Sequence, residues 1–239
     1  VKELFNENSF RSKINMSGVN SINWARIVCQ IVYYFYSFFK LKKNNITFSV
    51  PTGNFGDIYA GYVAKKMGLP INKLIVATNK NDILQRVINT GEYKPDTVKP
   101  SITPSMDIQV ASNFERLIYD LNDQNDKRTV EVMKNIKEKG NYKINKENLD
   151  KINTNFLSSR LDENEVLKVI RIIYEKYNIV LDPHSAIGYG AFDKVNINGN
   201  NIVLATAHPC KFPKAIEKAI NLKVELPKEI AFVLNEKEN

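Results

Sequence analysis

With 239 residues, 43% of them hydrophobic and 25% charged, the sequence holds enough apolar material for a sizeable core and lies outside the ranges of disordered, collagen-like and multi-span membrane chains. The formal net charge is +8, yet lysines alternate with acids from 125 to 176, so the excess reads as a solvated surface in preference to a nucleic-acid footprint. Cys29 and Cys210 stand far apart without metal-ligand spacing, which points away from a disulfide framework or a structural zinc site and fits a reducing compartment.

The polar opening, 1–11, has no apolar segment of the secretory kind, and a start at Val1 in place of methionine reads as a piece of a longer protein. Residues 22–39 are apolar over the length of a membrane span. Asn23, Arg26 and Gln30 interrupt the first half, so a buried helix is expected instead. Ser21 is placed as its cap and 40 as its end, with Trp24, Ile27, Ile31, Tyr34 and Phe38 at three- and four-residue spacing. Its other faces are apolar too, which predicts a helix enclosed in an α/β domain or covered by a subunit.

Residues 46–50, between Asn45 and Pro51, read as a buried strand, 57–67 as a helix stopped by Gly68 and Pro70, and 73–77 as a second strand. A strand, loop, helix, strand unit of this kind makes its two strands parallel. A short helix to 89 ends at Gly91, the proline-bearing 93–104 is loop, and order resumes over 107–121. The polar 122–160 is expected to form surface helices around a Gly140 turn. Next comes an amphipathic helix, 163–177, with Val166, Val169, Ile170 and Ile173 inward. Short strands are placed at 179–181 and 202–206. The chain therefore divides into an α/β region, 1–121, a mostly helical insertion, 122–178, and a return to the α/β region, 179–239.

The most informative local feature is PTGNFGD at 51–57, where two glycines separate a strand from a helix. Gly53 and Gly56 permit close backbone approach, and the helix start offers free N–H groups and a positive dipole end to an anion. Without a P-loop lysine or the third glycine of a dinucleotide fingerprint, a single phosphate on a small cofactor is favoured over a di- or triphosphate. The same pattern also fits an ordinary βα turn with Asp57 as N-cap. His184 and His208 each stand beside a proline at the end of a predicted strand, where α/β sites gather. Pairing of either with Cys210 as a nucleophile lacks a visible orienting residue, and a loop-ordering histidine is the competing reading. Thr206, closing the 202–206 strand, can direct a hydroxyl into the same cleft or serve only as a β-former. Asn20, Ser21, Asn23 and Arg26, at the start of the apolar helix, are candidate contacts to a small anionic substrate, with capping the alternative for Ser21.

Seven segments occur in order: NSINWARI at 20–27, PTGNFGD at 51–57, AGYVAKKMGLPI at 60–71, LIVATNKNDIL at 74–84, SMDIQVASNFERL at 105–117, LDPHSAIG at 181–188 and TAHPCKFP at 206–213. With them the sequence resembles the fungal and bacterial-type branch of the threonine synthase family. The likeness runs from about Asn15 to Ala219 and is weakest over 122–160. It implies a fold type II pyridoxal-phosphate (PLP) enzyme of the tryptophan synthase β kind, an open α/β sheet flanked by helices and incomplete here at its N-terminal side. It also implies conversion of O-phosphohomoserine and water to threonine and phosphate, in the cytoplasm, with no metal, nucleic acid or membrane involved. On this resemblance the cofactor phosphate falls on Gly53, Asn54, Phe55, Gly56 and Asp57, and the pyridine nitrogen on Thr206. The family's Schiff-base lysine stands in a motif resembling H-G-P-T-x-x-F-K-D, which does not occur here, and Lys211 in HPCKFP belongs to a different motif. The chain then carries no catalytic residue of its own and needs the missing N-terminal part of the same protein. A related phospholyase and a non-catalytic PLP- or phosphate-binding paralogue are the alternatives.

Overall fold

Ile46–Pro51 form β1, a strand buried along its whole length, as expected of a strand covered on both faces. In the computed structural model, which describes residues 7–14 and 20–232, β1 lies inside a parallel sheet of order β5–β2–β1–β6. Its partners are β2 (Ile71–Thr78), β5 (Phe156–Arg160) and β6 (Asn200–Val203). Most of the polar opening, and the start of the family likeness at Asn15, lie outside the described residues.

Along β2 successive side chains enter opposite layers. Leu74 and Val76 join a core with Ile27, Tyr34, Phe48, Phe55 and Ile58, whereas Ile75 and Ala77 join a second with Val166, Ile170, Ile187 and Ile216. The first layer contains α2 (Trp24–Leu41) and α3 (Gly56–Lys66), with α4 (Ile83–Thr90) and α5 (Phe114–Leu121). The second contains α8 (Glu163–Tyr177), α9 (Pro183–Val195) and α10 (Pro213–Ile220). Three short or peripheral helices are α1 (Asn8–Lys13), α6 (Asp126–Lys139) and α7 (Lys146–Asn155), and α11 (Lys228–Ala231) closes the described chain. A small antiparallel pair, β3 (Glu92–Tyr93) and β4 (Tyr142–Lys143), ties α4 to the α6–α7 segment.

Several expectations are corrected. The cap of α2 is Asn23, whose Oδ1 accepts from the Ala25 N–H at 3.0 Å, so the helix starts after the position predicted from Ser21. Asp57 is not a cap: Phe55 is, and Asp57 stands in the first turn of α3. Within the polar 122–160, Phe156–Arg160 is a strand, because its backbone completes the edge ladder against 74–78. Residues 179–181 are irregular, and β6 ends at Val203, leaving Thr206 in the following loop. The apolar helix is covered on one side only. Ile27, Ile31 and Tyr34 are buried, while Val28, Val32, Tyr33, Tyr36 and Phe39 are exposed. Among the described residues, no helix is long and apolar enough to cross a membrane.

Candidate functional site

At the carboxyl edge of the sheet, the loops after β1 and β6 separate over adjacent strands, the crevice position typical of open α/β sheets. A cavity of about 210 Å³ opens there. One wall is the 51–58 segment with Ser21, a second is Ser105 and Met106, and a third is His184, Thr206, Ala207 and Lys211.

The β1 loop is held by both neighbours and core. The Thr52 N–H donates to the Ala77 carbonyl at 2.8 Å, and the Thr52 hydroxyl to the Val50 carbonyl at 2.6 Å. The Asn54 carbonyl accepts from the Asn113 N–H at 3.0 Å and from Asn113 Nδ2 at 3.2 Å. Phe55 then takes φ +64°, in the left-handed region, a conformation costing about 1–3 kcal/mol for a non-glycine residue. Its ring is fully buried and packs against Phe114 at 5.3 Å and Phe156 at 5.7 Å, so core burial holds the strained turn. Gly53 is required by space: a Cβ there would lie 2.6 Å from the Ser105 carbonyl oxygen. Opposite Gly56 the Ser21 Cβ would be 3.0 Å away, which seats Ser21 on the same loop. The resulting α3 N-terminus presents N–H groups and its positive end to the cavity.

Asp57 would add an unwelcome negative charge beside such a site. Burial pushes its carboxyl pKa up to about 6, and the Tyr34 hydroxyl, donating to Asp57 Oδ1 at 3.3 Å and to its carbonyl at 2.8 Å, only partly opposes this. On the opposite wall Asp182 caps α9. Its Oδ1 accepts the His184 N–H at 2.9 Å and lies 3.2 Å from His184 Nδ1, and Oδ2 accepts the Ser185 hydroxyl. Burial works against the Asp182 carboxylate, but these hydrogen bonds outweigh it and hold the group below its ordinary range. An ionised Asp182 can only accept, so Nδ1 carries its hydrogen and donates it to Oδ1, which turns Nε2 away from Asp182. That Nε2 is buried and has no partner among the described residues, while the ring rests on Phe212 at 4.7 Å. A helix N-terminus on one wall and a buried imidazole nitrogen without a partner on another suit a small polar, anionic molecule.

Of the residues singled out from sequence, Gly53, Asn54, Phe55, Gly56, Asp57, His184, Thr206 and Ser21 meet on this cavity. Asn20, Asn23 and Arg26 lie outside its lining: Asn20 Oδ1 accepts from the Ile22 N–H, Asn23 caps α2, and Arg26 is exposed. His208 Nδ1 accepts from the Cys210 backbone N–H at 3.2 Å, a loop-ordering contact. Sequence reasoning missed Ser105, Met106 and Lys211 as lining and Asp182 as organiser. An Asp followed by Pro at the first helical position is the local signal for such a capped start. Ser105 and Met106 carry no such signal. Asp107 pins their loop by accepting from Asn79, Asn81 and Ser101, pairings that only the folded chain brings together.

A family model described as "Threonine synthase, C-terminal" matches residues 185–239. Threonine synthase of Pseudomonas aeruginosa is 42% identical over 100% of this chain and 52% of its own length. That of Saccharomyces cerevisiae is 41% identical over 92% of this chain and 48% of its own. The crystal structure of PLP-bound threonine synthase from Brucella melitensis superimposes with a TM-score of 0.94 at 42% identity, covering 99% of this chain and 52% of that one. The chain thus spans about half the length of the curated relatives it matches.

Proposed function

Because the chain belongs to the threonine synthase family, we propose that the protein carrying it binds PLP in the cavity at the ends of β1 and β6 and converts O-phosphohomoserine and water to threonine and phosphate. The observation that carries this reading is the conjunction of the Gly53–Asp57 turn with Thr206 across one small cavity. Bound PLP supplies an electron sink for carbanion chemistry at the substrate.

The residues of this chain do the holding. Backbone N–H groups of the 53–57 turn and the α3 dipole take the phosphate, and the Asp57 carboxyl, its pKa raised by burial to about 6, takes up a proton more readily than an ordinary carboxylate, which eases its repulsion of the phosphate as pH falls towards that value. The Thr206 hydroxyl meets the ring nitrogen as a neutral partner, which leaves the ring less electron-withdrawing than an acidic partner would. Ser21, and at longer reach Asn20, Asn23 and Arg26, serve the anionic substrate. The cofactor lysine comes from a part of the polypeptide outside this sequence, so the 239-residue chain alone has no turnover.

That remaining part also supplies a cover for the exposed Val28, Val32, Tyr33, Tyr36 and Phe39 of α2, a contiguous apolar stripe of the kind that marks an interaction face. Two unpaired cysteines, Cys29 and Cys210, agree with a cytoplasmic setting. The direct test is titration of the full-length protein with PLP. Binding that yields the absorption band of lysine-bound cofactor, and weakens at least tenfold in Gly53→Ala, is the expected result. Binding indifferent to Gly53→Ala removes the phosphate from this turn.

A further inference from the structure

The loop after β6 leaves the sheet with the Leu204 N–H bonded to the Ser49 carbonyl at 3.0 Å and next forms a turn where the Lys211 N–H reaches the His208 carbonyl at 3.1 Å. Between these, the Thr206 N–H donates to Ser185 Oγ at 3.3 Å. Ser185 is 2% exposed and stands in the first turn of α9. Its hydroxyl has one hydrogen, and that hydrogen goes to Asp182 Oδ2, an acceptor-only group when ionised. The oxygen lone pairs are therefore turned towards Thr206, and the direction of both bonds is set by Asp182.

The same helix is fastened to β1, since Ser49 Oγ donates to the Gly188 carbonyl at 2.6 Å. β1 in turn delivers the 53–57 turn. One rigid element thus references both ends of the cavity, the phosphate turn through β1 and the Thr206 loop through Ser185.

We propose that Ser185 is a positioning residue, its hydroxyl oriented by Asp182 so that the bond to the Thr206 N–H fixes where the Thr206 side chain stands in the cavity. The inference rests on the role given above to Thr206. Ser185 lies outside the cavity lining and acts through the loop. Thr206 itself is exposed, so in Ser185→Ala its N–H passes to water and the fold survives while the loop loses its register.

The experiment is a double-mutant cycle in the full-length protein with Ser185→Ala, Thr206→Ala and the pair, read by PLP affinity and by the absorption maximum of the bound cofactor. Ser185→Ala is expected to weaken PLP binding about five- to tenfold and to move the band, with a cofactor-free melting temperature within about 5 °C of the parent. In the Thr206→Ala background the same substitution is expected to change affinity less than about twofold, because the group it positions is gone. Amide exchange at Thr206, measured without cofactor, should quicken in Ser185→Ala. Equal factors in both backgrounds, or parental affinity and spectrum in Ser185→Ala, overturn the role of Ser185. If Thr206→Ala leaves affinity and spectrum unchanged, the reading of Thr206 itself fails.

Discussion

Asp57 occupies the first turn of α3, where a helix dipole favours negative charge, and yet burial raises its pKa from 3.8 to about 6. Between those values the folded protein keeps a proton that the unfolded chain releases. The favourable state is fully present below about pH 4, and stability falls as pH rises through about 6. Asp57→Asn should flatten this part of the profile and be more stable than the parent at pH 7.5 by roughly 1–3 kcal/mol. Urea unfolding at pH 4.5 and 7.5 checks it, and parallel profiles for the two proteins contradict it. Phe55 poses the complementary case, a strained backbone held by a buried ring. Phe55→Ala is expected to lose about 3–5 kcal/mol, read from the shift in urea midpoint. A loss below about 1 kcal/mol would mean the ring does not hold the turn. At this scale the glycines of the 51–57 turn were legible, because their spacing between a strand and a helix is a local signal. The Asp182 cluster is equally local, an Asp–Pro helix start whose carboxylate orders His184 and Ser185, and its signal is a capping one and not a reactive one.

Helix and strand identities followed periodicity wherever one face is apolar and failed where pairing decides. β5, FLSSR, falls in the polar stretch expected to form surface helices, but register against β2 from Leu74↔Phe156 to Thr78↔Arg160 makes it the sheet edge. No residue within it announces that partner. The start of α8 shows the opposite, with Asp162 Oδ1 accepting from the Glu165 N–H at 2.9 Å and Glu165 returning a bond to the Asp162 N–H at 2.9 Å. Asp162→Ala should cost about 1 kcal/mol in thermal or urea unfolding, because the Glu165 N–H at the helix start loses its acceptor. An unchanged midpoint would show that α8 is held by its packing on α9 and α10 alone. The apolar stripe of α2 was visible as excess hydrophobicity, whereas which side stays open depends on tertiary packing against α3.

For the molecule as a whole, the sheet with its two helical layers brings distant segments to one crevice. Residues 21, 53–57, 105–106, 184, 206, 207 and 211 are separated by most of the chain and converge because β1 and β6 are parallel neighbours. Charge, composition and cysteine count could not reveal that convergence, and the ordered motifs did so only through their family likeness. The likeness also carries the proposed substrate, about which the cavity geometry alone says nothing. The measurement that bears most directly on the account follows threonine and inorganic phosphate together when O-phosphohomoserine is given to the full-length protein with PLP. Threonine and phosphate in equal amounts, both dependent on PLP, are the expected result. Phosphate without threonine would point to a related phospholyase, and PLP binding with neither product to a non-catalytic paralogue; each contradicts the account.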